Sequence, residues 1–460
     1  MPFTSLEFVG FVVAALGIFH AVPRTRWRAR NLVLLVGSYL FYMGWRPSHA
    51  WLLLSVTVIS FLLALAIDRA RSRTVRRGCL ALGVVTLLGI LGTFKYAGFL
   101  VASVAPLVEQ VTGHAPAVPQ LALPIGVSFF TFEAISYVVD VYHGGAPARR
   151  FSDYALFLSF FPHLIAGPIV RAEAFLSQLA APTLSTPEAT RTALARIASG
   201  VCKKILLADL LGRYVDTVYA VPGTCGGLNA LLAVYAYAFQ IYFDFSGYTD
   251  LALGVAQLFG LRLPENFDRP YLAQSPQEFW QRWHISLSSW LRDYLYVPLG
   301  GNRGTSVRTY ANVMVTMLLG GLWHGAAWHF VVWGGYHGAL LVLHRLWRRM
   351  NGRTPTWLAR LATFHLVALG WVLFRVPDLG DCWRLLRAIA LPVVAPWQGT
   401  WLAAFLVLAS VALHMGGRAD DARARWTDLP AWVQGTVYGV LTVVALLLMQ
   451  GAEAFIYFQF

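Results

Sequence analysis

Apolar runs of about 18 residues recur from one end of the chain to the other, and a helix of roughly that length crosses the hydrocarbon core of a bilayer. Inside that core every backbone N–H and C=O must find a partner within the protein, so only helices and closed barrels can span it. The runs lack the strict alternation of barrel strands. The expected class is all-α: a polytopic membrane protein with ten or eleven spans plus re-entrant or amphipathic helices. Only 13% of the residues are charged, against about 25% in a soluble domain.

The net charge of +14 would suit nucleic acid only if the cations formed one patch. They stand instead in short loops between apolar runs, the distribution that marks cytoplasmic loops, so no nucleic-acid partner is expected. Arg24–Arg30, Arg69–Arg77, His344–Arg353 and Arg418–Arg425 are predicted cytoplasmic, with both termini outside. The first run, Leu6–Val22, has no basic residue before it and four Arg after it, so it is expected to stay as a span. Cys79, Cys202, Cys225 and Cys382 form no CxxC or other metal spacing, and no metal site is expected.

Further spans are predicted over 31–45, 50–67, 80–100, 357–376, 398–416 and 433–450. The segment 102–122, with three Pro and little charge, reads as an external loop. The run 123–142 is interrupted by Glu133 and Asp140. In 154–170, Pro162 and Pro168 predict an irregular or re-entrant element, with His163 bonded to local backbone. A surface loop over 171–192 should start a helix at Ser185–Glu188, and 193–220 should form an amphipathic helix at the membrane interface. No internal repeat is visible. The chain reads as one domain, with N-terminal spans to residue 122, a core over 123–350 and C-terminal spans from 351.

The stretch Phe239–Gly338 breaks the apolar monotony. Ser275-Pro276-Gln277-Glu278 has Ser at an N-cap, Pro at the first helical position and Glu at the third, a capping box. The helix it opens, 276–296, carries a ridge of Trp280, Trp283, Leu287, Trp290, Leu291 and Tyr294. Gln281, Arg282, Ser286, Ser289, Arg292 and Asp293 lie off that ridge, too much polarity for a simple span. His284 points with the aromatics. His324 sits in GGLWHGAAWHF. The 21 positions from there to Arg345 correspond to about 30 Å of helix, which puts His324 far from the cytoplasmic face. Two roles stay open for it at this point: a general base, or a hydrogen-bonded histidine between helices. His329 and His337 share the following helix. Ionisable groups at membrane depth are costly and mark functional sites.

The segments YFDFSGYTDLALG, PENFDRPY, FWQRWHISLSSWLRDYLYVPLGGNR and WHGAAWHFVVWGGYHG resemble the membrane-bound O-acyltransferase family. The resemblance is to its bacterial branch, which modifies alginate and teichoic acid. PIGVSFFTFEAISYVVDVY, FPHLIAGPIVR and the terminal FIYFQF extend the similarity over nearly the whole chain. The resemblance implies a helical bundle around a central funnel and a catalytic His that falls on His324. It also implies a second polar residue about forty positions upstream, which is His284 (324 against 284). It implies transfer of a short acyl group, acetyl above all, from a cytoplasmic thioester such as acetyl-CoA. The acceptor would be an exported polysaccharide such as alginate, reached through a periplasmic partner, in the inner membrane and with no bound cofactor.

In that scheme Trp323, Trp283, Trp280 and Tyr294 would line the acyl tunnel. Arg282, Arg292 and Arg303 would meet donor phosphates, since guanidinium suits phosphate, with Asp293 and Asn302 completing the substrate set. Ion pairs with Asp293 or Asp268 are the alternative use for these arginines. D-alanyl transfer to teichoic acid and O-acetylation of peptidoglycan are the alternative reactions. A transporter or channel is the non-enzyme alternative; inverted repeats would favour it, and none is visible.

Overall fold

A computed structural model describes residues 3, 5–180, 186–392, 396–417 and 424–448. Among the described residues the secondary structure is helical, with one isolated antiparallel bridge, Phe267 to Trp283. Three helical stretches among the described residues are long and apolar enough to cross a membrane: His49–Arg69, Arg73–Thr112 and Thr356–Arg375. Leu6–Ala21 and Arg24–Met43, bent by 111° at their junction, would together make a fourth.

The chain forms two compact units, residues 1–190 with 255–264, and residues 191–254 with 265–460. In the first, α1 (Leu6–Ala21) leads to α2 (Trp27–Met43), α3 (His49–Arg69) and α4 (Arg73–Leu91). A π-helical turn, Gly92–Tyr96, then carries the chain directly into α5 (Ala97–Thr112). The loop expected over 102–122 is therefore helical in its first half. Pro106 removes one backbone bond, while the apolar residues around it continue the helix. The stop comes at Gly113, at φ 73°, whose N–H bonds Glu109 O at 2.8 Å.

α6 (Val127–Tyr142) packs on α3 and α4, where Gly83 leaves no slack: a Cβ there would lie 3.2 Å from Val138. α7 (Phe151–Ser159) ends in the irregular stretch expected from Pro162 and Pro168, before α8 (Ala172–Ala180). His163 does not settle on local backbone. Its Nε2 lies 3.4 Å from the buried Glu133, whose other oxygen accepts from the Val170 N–H at 2.9 Å. A buried carboxylate needs such partners, and they come from thirty or more residues away.

In the second unit the amphipathic run is two helices, α9 (Pro187–Val201) and α10 (Asp209–Tyr219), joined by a π-helical segment, Cys202–Ala208. Thr186 caps α9 by accepting from the Ala189 N–H at 3.1 Å; Ser185 lies outside the described residues. The π segment turns two consecutive lysines onto different acids. Lys203 Nζ reaches Asp250 at 2.7 Å, and Lys204 Nζ reaches Asp209 at 2.8 Å and Asp244 at 2.7 Å. Asp244 and Asp250 belong to the long α11 (Gly226–Leu258).

The helix expected over 276–296 is broken. α12 (Pro276–Arg282) starts where the capping box puts it, with Ser275 Oγ accepting from the Glu278 N–H at 3.1 Å. Glu278 returns to the Gln274 N–H at 2.7 Å, one residue before the cap. Ser275→Ala is expected to lower stability by about 1 kcal/mol, read as a lower unfolding temperature in detergent; an unchanged midpoint would show that Pro276 alone starts this helix. The break follows at Trp283, which is extended, and His284, at φ 43°. The preceding loop takes the backbone groups that a continuous helix would have used. The Asp268 N–H donates to Arg282 O at 3.0 Å, and the Ile285 N–H donates to Asn266 O at 3.0 Å. α13 (Ile285–Leu291) and a π turn, Arg292–Tyr296, complete the element.

α14 (Ser306–His324) and α15 (Trp328–Arg349) form a hairpin in contact along its length. Its closeness depends on glycine. A Cβ on Gly321 would lie 2.2 Å from Phe330 O, and one on Gly334 would lie 2.3 Å from Met317 O. α16 (Thr356–Arg375) matches a predicted span, whereas α18 (Thr400–Met415), over the span predicted at 398–416, is an apolar helix of 16 residues, shorter than a membrane crossing. Between them α17 (Leu379–Ala388) is an unanticipated amphipathic helix. The last predicted span, 433–450, coincides with a helix over Ala431–Leu448, and residues 449–460, including FIYFQF, lie outside the described residues.

Candidate active site

His324 is the last residue of α14, and the chain leaves it through an extended Gly325. A Cβ at Gly325 would stand 2.0 Å from the Phe330 ring, so glycine lets that ring close over the helix end. Three aromatics hold the His324 imidazole edge-on: Trp323 at 5.1 Å, Trp333 at 5.1 Å and Phe374 at 5.4 Å between ring centroids. His284 is fully buried, 4.7 Å from Phe245 and 5.9 Å from Trp323. The two imidazole centroids are 6.4 Å apart. The helix break brings His284 to this position.

A cavity of about 530 Å³ opens onto His324. Trp280, Leu287, Met317 and Trp333 form an apolar wall, while Arg292, Tyr296, Asn302 and Arg345 stand at its polar part. The apolar wall suits an acyl chain, and the imidazole is the titratable group placed against it. His284 is not among the residues that line this cavity; its ring stands 6.4 Å from that of His324.

The proposed binding residues divide. Trp280, Arg292 and Asn302 line the cavity with His324. Trp323 packs against both histidines. Trp283 is in the core, 4.8 Å from Trp371 and 5.0 Å from Phe267, away from the lining. Tyr294 packs on Trp290 at 5.2 Å and is also outside the lining. Arg282 is held by Glu278 at 2.7 Å and by the Asp268 carbonyl at 3.1 Å. Arg292 bonds Asp293 at 2.8 Å, and this hydrogen bond raises the guanidinium pKa above its ordinary value. Arg303 is exposed beyond the lining.

Sequence reasoning missed Trp333, Phe374 and Arg345. Trp333 and His337 stand four apart on α15, one face of a helix, and that spacing was the available signal. His337 is buried and packs on Trp333 at 4.9 Å and Trp280 at 5.2 Å. Phe374 and Arg345 carried no local signal. Among the described residues no group of His, Cys, Asp and Glu could hold a metal ion.

The family model for MBOAT, the membrane-bound O-acyltransferase family, matches residues 149–368, which include both histidines and the whole cavity lining. A protein of Azotobacter vinelandii named probable alginate O-acetylase AlgI is 44% identical over 393 residues, covering 85% of this chain and 78% of that protein. A Pseudomonas aeruginosa protein of the same name is 42% identical over 433 residues, covering 90% and 82%. The peptidoglycan O-acetyltransferase of Helicobacter pylori is 35% identical over 390 residues, covering 78% and 73%. Similarity of this degree over most of both chains, on a helical protein with apolar spans, makes the chain a multi-pass member of the membrane-bound O-acyltransferase family.

Proposed function

We propose that this acyltransferase O-acetylates an exported polysaccharide, with alginate as the acceptor, using acetyl-CoA or another acetyl thioester from the cytoplasmic side. The observation that carries the reading is the placement of His324 against an apolar cavity, backed by buried His284. The relatives named for alginate O-acetylation are more similar than the one named for peptidoglycan, which supports alginate first.

A thioester is already activated, so the main need is a base for the acceptor hydroxyl. His324 takes that proton as the hydroxyl oxygen attacks the thioester carbonyl. The tetrahedral intermediate expels the thiolate, and the imidazolium returns the proton to sulfur. No net proton is gained or lost. His284 orients the reacting groups through His324, and Trp280 and Trp333 hold the acyl chain away from water. The acceptor hydroxyl belongs either to the polysaccharide or to a periplasmic partner that passes the acetyl group on.

The test is complementation of an alginate-producing strain that lacks its own O-acetylase. Restored O-acetyl content of the secreted alginate is expected. Acetyl groups appearing on peptidoglycan while alginate stays bare would replace this acceptor with the other.

The same reading places the protein in the inner membrane, with Arg69–Arg77 and Arg345–Arg353 cytoplasmic and both termini outside. Single cysteines in those two basic segments, introduced after the four native cysteines are replaced, should resist an impermeant thiol reagent in intact cells. Labelling of both from outside would reverse the orientation.

A further inference from the structure

We infer that the groove between α15 and α16 is a lipid site, and that it takes a zwitterionic phospholipid with a primary ammonium, phosphatidylethanolamine in its chemistry. The inference goes beyond acyl transfer and assumes nothing about donor or acceptor.

The groove holds about 680 Å³, within the roughly 300–1,000 Å³ of ligand sites. α15 presents Leu340, Leu343, His344, Trp347 and Arg348 to it, spaced three and four apart on one helix face. α16 presents Ala359, Ala362, Thr363 and Leu366 at the same spacing. The two alanines leave room that larger side chains would fill. Deeper in, the helices close on each other. The Tyr336 hydroxyl donates to Leu366 O at 2.7 Å, and a Cβ on Gly370 would lie 3.0 Å from the Tyr336 ring. The groove is shut at that end and reaches Arg348 and Thr354 at the other. Leu340 is eight positions before Arg348, about 12 Å at the helical rise. One leaflet is about 15 Å of hydrocarbon, half the bilayer core. The depth suits an acyl chain of a single leaflet.

An apolar groove between spans fills with any lipid, so the chemistry of its mouth decides. Arg348 and the amides of Gln274, Gln277 and Gln281 stand there, without a hydrogen-bonding or ionic partner for their side chains among the described residues. Water could satisfy them but would not fill the apolar depth beneath. One guanidinium matches one phosphate, two oxygens at a time. Glu278 lines the same mouth. Its oxygens accept from the Gln274 N–H at 2.7 Å and from Arg282 Nε at 2.9 Å, and each keeps a lone pair for a further donor. A carboxylate here disfavours a purely anionic head and favours one that brings its own cation. Carboxylate and amide oxygens accept N–H bonds, which a primary ammonium supplies and a quaternary one lacks. Phosphate on Arg348, with ammonium on Glu278 and the glutamines, satisfies both signs. Gln277 and Gln281 also line the His324 cavity, so the lipid braces α12, the helix that carries Trp280.

The test is native mass spectrometry of the purified, delipidated protein in uncharged detergent. It is titrated with phosphatidylethanolamine, phosphatidylglycerol and phosphatidylcholine of identical chains, and with glycerophosphoethanolamine, which has none. The variants are Arg348→Gln and Ala359→Leu/Ala362→Leu, which fills the groove. Wild type should hold one phosphatidylethanolamine, about tenfold more tightly than the other two lipids. Arg348→Gln should bind it about tenfold more weakly, the usual scale for a lost charge-assisted bond. The filled groove should hold none, and the chainless head should not bind. Equal retention of all three lipids overturns the proposal and makes the groove an annular surface. A preference for phosphatidylglycerol, undiminished binding to the filled groove, or binding of the chainless head overturns it as well. Should the double variant fail to fold, Arg348→Gln with the lipid series decides alone.

Discussion

Replacing His324 by alanine is expected to lower acyl transfer by about 10²–10⁴-fold, the usual contribution of a positioned general base, while the protein still inserts and accumulates. The imidazole is nearly buried and touches three aromatic rings. Losing such contacts costs roughly 0.5–1.5 kcal/mol each beyond area, while the close glycine contacts of the α14–α15 hairpin at Gly321 and Gly334 remain. Activity should therefore fall far more than abundance. His324→Asn should be as inactive as His324→Ala, because an amide can hydrogen-bond but cannot accept the proton. Transfer is measured with a radiolabelled short-chain thioester at matched membrane abundance. Wild-type rates from a well-expressed His324→Ala protein would remove the catalytic role.

The second large effect is on stability. Lys204 is buried between Asp209 and Asp244. Lys204→Met removes the cation and leaves two carboxylates facing each other out of water. Breaking one side of a buried ion cluster costs about 3–5 kcal/mol, more than the intact cluster contributes over an apolar replacement. The expected result is a large fall in unfolding temperature and yield. Asp209→Asn/Asp244→Asn added to Lys204→Met should recover part of it, since neutral amides carry no unpaired charge. An unchanged midpoint for Lys204→Met would mean that water reaches these carboxylates.

The fold class was legible because the bilayer allows few solutions. The apolar runs, the capping Ser275 and the breaking prolines after Phe160 each act through neighbours in sequence; the runs became helices, three or four of them long enough to cross a membrane among the described residues, and Ser275 and the prolines act where expected. What stayed hidden depends on distant partners. The break at Trp283–His284 exists because Asn266 and Asp268 supply backbone bonds from the preceding loop. His163 turned to Glu133, thirty residues away, rather than to its own turn. Residues 102–112 stayed helical despite Pro106 because apolar neighbours outweighed one lost bond.

The candidate site shows the same division. His324 and His284 stood out in motifs shared with a family, whereas Trp333, Phe374 and Arg345 are brought to the site only by helix packing. Arg282 and Arg292 show the reverse: suited to phosphate by type, they are already taken by Glu278 and Asp293.

The division of labour between the two histidines is the central claim, and the helix break sharpens its test. His284 holds a left-handed conformation that asparagine and glycine tolerate and alanine resists. His284→Asn keeps the backbone and a polar side chain; His284→Gly keeps the backbone alone; His284→Ala strains it. The decisive measurement is radiolabelled acyl transfer by these three variants beside His324→Asn, all at equal membrane abundance. The account predicts measurable activity in His284→Asn, less in His284→Gly and His284→Ala, and none above background in His324→Asn. A His284→Asn protein as inactive as His324→Asn would contradict it and make the two imidazoles one catalytic unit.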